Sequence, residues 1–143
     1  MECEFCKKPD KFEDFRIKDF VYWSVFLHGE QYYLGRSVIR LRRHVEDLGD
    51  LTSEEQKEFF IVARKLRNAI KGLFRADLIN YAFLGNVTRH LHCHFIPRYA
   101  KPREFLGKTF TDKRWGQNYV PYPKKQLDQK QYKELIKVIK EKI

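Results

Sequence analysis

His90-Leu91-His92-Cys93-His94-Phe95-Ile96 alternates imidazoles with apolar side chains, and that alternation decides how the chain is built. A β-strand sends successive side chains to opposite faces. Leu91, Cys93 and Phe95 therefore turn toward a core, while His90, His92 and His94 share the other face. Neighbouring imidazoles on that face lie roughly 6.5–7 Å apart along the strand. Pro97 is read as the strand's stop. Three of the chain's five histidines sit in this one stretch. Such a row suits metal ligation. It equally suits attack on phosphorus by a neutral imidazole whose neighbours bind the oxygens, because the ordinary pKa of histidine leaves much of it neutral near pH 7.

Outward from the triad, Gly85-Asn86-Val87-Thr88 reads as a turn and residues 77–84 as an alternating strand. Thr52-Ser53-Glu54-Glu55 opens a helix with a capping box, Thr52 as cap and Glu55 three residues on. Phe59, Val62, Leu66, Ile70 and Leu73 then recur at helical spacing as a core stripe. Residues 19–27 and 36–41 read as strands on either side of a turn at His28-Gly29-Glu30. The first sixteen residues read as a short loop carrying Cys3 and Cys6. Residues 100–126 show no period and read as an extended tail. A last helix begins at about Leu127, with Tyr132, Leu135, Ile136 and Ile139 on one side. Two main helices and at least four strands with hairpin-like connections give an α+β fold on an antiparallel sheet.

The chain has 143 residues, which suits one domain spanning 1–143 with a real core. Twelve Phe, eight Tyr and two Trp exclude a disordered chain. No apolar run reaches bilayer length, the best ending at His28. The N-terminal residues show no signal-peptide h-region. With three cysteines, two of them in a C-x-x-C, the expectation is a soluble cytoplasmic protein in a reducing compartment, not a disulfide framework. A formal charge of +10 calls for an anionic partner without saying which one. The Arg40, Arg42 and Arg43 run reads as a solvated strand edge.

Residues 90–96 resemble the histidine-triad (HIT) signature, His-φ-His-φ-His-φ-φ with φ apolar, at every position. Pro97-Arg98-Tyr99 is similar to the continuation in many prokaryotic members. Val38-Ile39-Arg40-Leu41-Arg42-Arg43-His44 resembles the family's strand ending in a basic-basic-His turn. Asn80 stands at about the family's spacing before the triad, and Gly85-Asn86 is similar to its Gly-Gln. The likeness spans roughly residues 3–99. It implies a HIT-like sheet of about five strands, a homodimer, and nucleotidyl transfer. His92 would be the nucleophile, with His94 and His90 beside it, and the His90 carbonyl would hold the Nδ1 proton of His92. Gly85, Asn86, Thr88 and Asn80 would meet the nucleotide. Substrates would be dinucleoside polyphosphates or nucleoside phosphoramidates. Val87 departs from the family's Ser after Gly-Gln, and His28-Gly29-Glu30 stands where many members have an acid for the ribose.

Cys3 and Cys6 are half of a tetrahedral zinc site, which takes four ligands. No second C-x-x-C exists, and Cys93 faces the core, so histidines would complete the set. A thioredoxin-like redox pair needs a βαβ context that residues 2–9 do not offer. The resemblance to zinc-containing prokaryotic members implies Cys3, Cys6, His44 and His90 as ligands of a closed, structural zinc. Past the triad, Lys113-Arg114-Trp115-Gly116 is similar to an Asp-x-x-Trp-Gly segment of some relatives. Trp115 there would either stack on a base or, with the tail, pack on the sheet edge or the dimer partner. Two further readings stand beside the enzyme. One is a non-catalytic, basic, zinc-stabilised module that binds nucleic acid. The other is a catalytic zinc on His90, His92 and His94, which leaves Cys3 and Cys6 unexplained. No membrane partner is expected.

Overall fold

The computed structural model describes residues 3–143. Met1 and Glu2, which open the expected N-terminal loop, lie outside the described residues. Five strands form one antiparallel sheet: β1 (Arg16–Asp19), β2 (Trp23–Leu27), β3 (Ser37–Leu41), β4 (Leu78–Ala82) and β5 (His92–Arg98), in the order β1-β2-β3-β5-β4. Two helices, α1 (Ser53–Phe74) and α2 (Gln129–Lys140), complete the α+β architecture. No helix of the described residues is long and apolar enough to cross a membrane.

The helix α1 starts where its capping box directs. Glu55 N–H donates to Thr52 Oγ1 at 3.2 Å, and Thr52 N–H donates to the Glu55 carboxylate at 2.8 Å. Its stripe of Phe59, Val62, Leu66 and Ile70 is buried against Val25, Ile39, Cys93 and Phe95 from one face of the sheet. Each such side chain contributes about 1.5–3 kcal/mol over its exposed state. Leu73 is only partly buried, and Phe74 takes the inner position beside it. A second capping box, Asp128 with Gln131, starts α2, whose Leu135 and Ile139 reach the same core.

Three expectations need correction. The strand expected over 19–27 is two strands, because Phe20-Val21-Tyr22 forms the turn of a hairpin. Glu58 of α1 draws in the backbone N–H groups of Val21, Tyr22 and Trp23 at 2.6–3.1 Å, which removes them from any ladder. Pro97 does not end β5 but lies inside it, opposite Ile79. Leu41 N–H reaches the Leu91 carbonyl, so the odd-numbered residues of β5 turn their backbone toward β3. Pairing with β3 ends at Phe95, and at Pro97 no donor is needed on that side. Finally, the tail contains a hairpin, β6 (Arg103–Phe105) and β7 (Lys108–Phe110). Its turn, Leu106-Gly107, has two positive φ values, the primed geometry that a leucine seldom announces.

Candidate functional site

The triad is split by the point at which β5 begins. His90 precedes the strand and is 2% exposed; His92 opens it opposite Arg40; His94 pairs with Val38 on one side and Ala82 on the other. The Nδ1–H of His92 donates to the carbonyl oxygen of His90 at 2.6 Å. A carbonyl only accepts, so the Nε2 of a neutral His92 carries the lone pair. The rings of His92 and His94 lie 5.1 Å apart. Leu91, Cys93 and Phe95 point into the core, and burial pushes the Cys93 thiol up to about 12, which leaves it unsuited to nucleophilic work.

His92 and His94 face a cavity of about 580 Å³. One wall is apolar, with Phe5 and Phe12 from the N-terminal loop and Phe26 from β2. The Phe5 ring meets His92 edge-on at 5.2 Å. Another wall holds His28 and Arg36, the two ends of a loop pinned by the fully buried Gln31. Gln31 donates to the carbonyls of His28 and Arg36 and accepts from Gly35 N–H, each at 2.8 Å. Gly35 has φ +86°, and a Cβ there would stand 2.9 Å from Ile70, so glycine is required. Burial first, and then the Arg36 charge, hold His28 down at about 3 and His94 at about 4. Both imidazoles are neutral near pH 7. His28 Nδ1 accepts from Glu30 N–H at 3.0 Å, so its proton is on Nε2.

Behind His92, Cys3, Cys6, His44 and His90 bring their ligand atoms within 4.8 Å of one another. Four of the separations are 3.2 Å (His44 Nδ1 to His90 Nδ1), 3.3 Å (Cys3 Sγ to His90 Nδ1), 3.5 Å (Cys6 Sγ to His90 Nδ1) and 3.6 Å (Cys6 Sγ to His44 Nδ1). The edges of a tetrahedral Cys₂His₂ zinc site are about 3.3–3.8 Å given its bond lengths. The cluster can therefore hold a metal ion of that kind. His90 Nε2–H donates to Leu41 O at 2.6 Å, which orients Nδ1 to the sulfurs. The three triad imidazoles themselves do not gather as a ligand set, since His90 alone joins the metal-binding group.

Gly85 (φ +66°), Asn86 and Thr88 line the cavity rim. The Thr88 hydroxyl donates to Glu4 at 2.7 Å, and Val87 is exposed. Asn80 is not brought to the cavity; its Oδ1 accepts from Arg98 at 2.9 Å, four residues beyond His94 on the same sheet face. Glu30 accepts from Lys125 N–H at 2.8 Å and so ties the tail to the 28–36 loop. Trp115 is exposed and lies outside the cavity lining. Of the basic run, Arg40 alone departs from a solvated edge: it is buried, with an ion pair to Asp10 at 2.6 Å, whereas Arg42 and Arg43 are exposed, Arg43 reaching Glu55 at 2.6 Å. Sequence reasoning missed Arg36 and Phe5 altogether and took His28 only as part of a turn. Nothing in strand periodicity marks a residue that reaches the cavity from a loop.

Comparison with known proteins gives the same frame. The family profile described as HIT domain matches residues 17–101. Bis(5'-adenosyl)-triphosphatase of Saccharomyces cerevisiae is 37% identical over 67 residues, 43% of this chain and 32% of that protein. The match thus spans about a third of the length of that relative. A histidine triad (HIT) protein from Sinorhizobium meliloti superposes with a TM-score of 0.77 at 17% identity, covering 96% of each chain. A Zn-bound histidine triad family protein from Mycobacterium smegmatis superposes with a TM-score of 0.61 at 17% identity, covering 89% of this chain and 84% of that one. These structural likenesses show the shared fold.

Proposed function

The chain belongs to the HIT domain family, and from that premise we propose that it is a nucleotide hydrolase or transferase acting on dinucleoside polyphosphates or nucleoside phosphoramidates. The observation that carries the reading is the hydrogen bond from His92 Nδ1 to the His90 carbonyl, which leaves Nε2 as a lone-pair donor at the cavity wall. In this reading Nε2 forms a bond to the α-phosphorus, and the bond to the leaving group breaks with its electron pair going to that group. Water then attacks the same phosphorus, gives up its proton, and displaces Nε2 to release a nucleoside monophosphate; another acceptor in its place would itself carry away the nucleotidyl group. His94 and Asn86 would donate to the non-bridging oxygens, where charge develops. Neutral histidines suit this task, since they donate without carrying a buried charge. The apolar wall of Phe5, Phe12 and Phe26 would receive a base. The similarity to the yeast triphosphatase supports the substrate class.

Zinc is assigned to Cys3, Cys6, His44 and His90, on the strength of the donor set and its spacing. When bound, it would fix the loop carrying Phe5 against the residue whose carbonyl holds His92. A homodimer is proposed as well, by resemblance. The edge strand β4 exposes Leu78 and Tyr81, and light scattering should give twice 17.4 kDa.

The experiment is a turnover panel of diadenosine tetraphosphate, adenosine phosphoramidate and adenylylated nucleic acid, with and without added phosphate. Release of adenosine monophosphate from the first or second supports the reading. Tight nucleic-acid binding with no turnover of any substrate would replace it with the binding module.

A further inference from the structure

The fold buries three arginines: Arg36, Arg40 and Arg98. Arg40 is neutralised by Asp10, and Arg98 by Asp112. Arg36 is 3% exposed, yet its Nε and Nη1 meet no acceptor, and no ion pair among the described residues includes it. The rings of Tyr119 and Tyr122 lie 5.5 and 4.8 Å from its guanidinium carbon, which fixes its orientation without cancelling its charge. A buried, unpaired charge is costly, and a protein keeps one where a ligand completes it. Arg36 lines the cavity that holds His92 and His94. There His94 Nδ1 is a third buried atom without a partner.

We propose that Arg36 anchors a phosphate subsite that takes the leaving polyphosphate, and so sets a preference for substrates with an anionic leaving group. The inference rests on the nucleotidyl-transfer reading above. A guanidinium presents a planar fork matched to phosphate oxygens. Register separates this subsite from the reacting phosphorus. Arg40 pairs with His92 and Val38 with His94, so Arg36, which immediately precedes β3, starts four residues from the partner of His92, about 13 Å at Cα. The base-sized apolar wall lies with Phe5, which touches both His92 and Arg40. A nucleoside seated there runs its phosphate chain toward Arg36. A phosphoramidate, whose amine leaves neutral, gains nothing from that subsite.

The test is calorimetric titration of the full chain with inorganic tripolyphosphate, comparing wild type with Arg36→Met and Arg36→Lys. Wild type should bind, and Arg36→Met should bind about 10- to 100-fold more weakly, the range for a lost charge-assisted contact. Arg36→Lys should fall between them, since it keeps the charge and loses the fork. It also keeps the buried cation against both tyrosines, so it serves if Arg36→Met fails to fold. In turnover, the ratio of kcat/KM for diadenosine tetraphosphate to that for adenosine phosphoramidate should fall by the same factor. Unchanged tripolyphosphate affinity in both variants, or an equal loss on both substrates, would overturn the proposal. If wild type turns over neither substrate, the reaction reading fails, while the titration still decides the anion subsite.

Discussion

The Nδ1–H of His92 donates to the carbonyl oxygen of His90 across 2.6 Å. His90 therefore works in two directions. Its backbone sets the tautomer of its neighbour, and its own Nδ1 stands 3.3 Å from the sulfur of Cys3. The metal cluster and the candidate nucleophile are thus two residues apart in sequence and share one anchor.

That sharing predicts what loss of a thiolate does. Cys3→Ser should empty the cluster of zinc and lower the melting temperature, because metal binding is linked to folding. Turnover should drop about 10- to 100-fold, the usual cost of removing support from a metal-held side chain. Metal content by mass spectrometry, read beside a thermal melt, checks it. Full zinc content in Cys3→Ser would refute the ligand set.

Acid should destabilise the fold well above the carboxylate range. His28 is held at about 3, chiefly by burial and next by Arg36, against an ordinary 6.5. The unfolded chain then binds a proton that the folded chain refuses, so stability is present above 6.5 and is lost as pH falls toward 3. Glu55, held at about 2 first by its hydrogen bonds to Arg43, adds a loss of the same sign below 4.5. Urea midpoints from pH 7 to 4 should fall in wild type, and His28→Asn should flatten the slope by at most about 1.4 kcal/mol per pH unit. An unchanged slope would contradict the buried, neutral His28.

The tail over the sheet is held by Arg98. Its guanidinium donates to both oxygens of Asp112, at 2.7 and 3.2 Å, and to the carbonyls of Arg114 and Gln117. Asp112→Ala leaves a buried charge unpaired and should cost about 3–5 kcal/mol by chemical denaturation. A cost under ~1 kcal/mol, as for a surface pair, would show that the pair does not hold the tail.

What the sequence disclosed divides by range. The capping boxes at Thr52 and Asp128, the stripe of α1 and the alternation in residues 90–96 are local patterns, and the fold follows them. The hairpin turn at Phe20-Val21-Tyr22 was hidden because its amides are satisfied by Glu58, thirty-five or more residues away. Arg40 read as solvated because its partner, Asp10, comes from a loop with no period of its own. Arg36 is the sharpest case. Only the folded packing of Tyr119 and Tyr122 reveals that it is buried and unpaired. Asn80 shows the converse: it shares a sheet face with His94, but in the middle of β4 its side chain is held by Arg98 and does not line the cavity.

The central claim is that His92 Nε2 becomes bonded to phosphorus. Rapid acid-free quench of the wild-type protein with a dinucleoside polyphosphate radiolabelled at the α-phosphorus, followed by peptide mapping, tests it directly. The account predicts label on His92, stable to base and labile to acid as a phosphorus–nitrogen bond is. It predicts no label in His92→Ala, whose kcat should fall about 10⁴-fold or more with a smaller change in KM. Label on Cys93 or a lysine, or full turnover by His92→Ala, would contradict it.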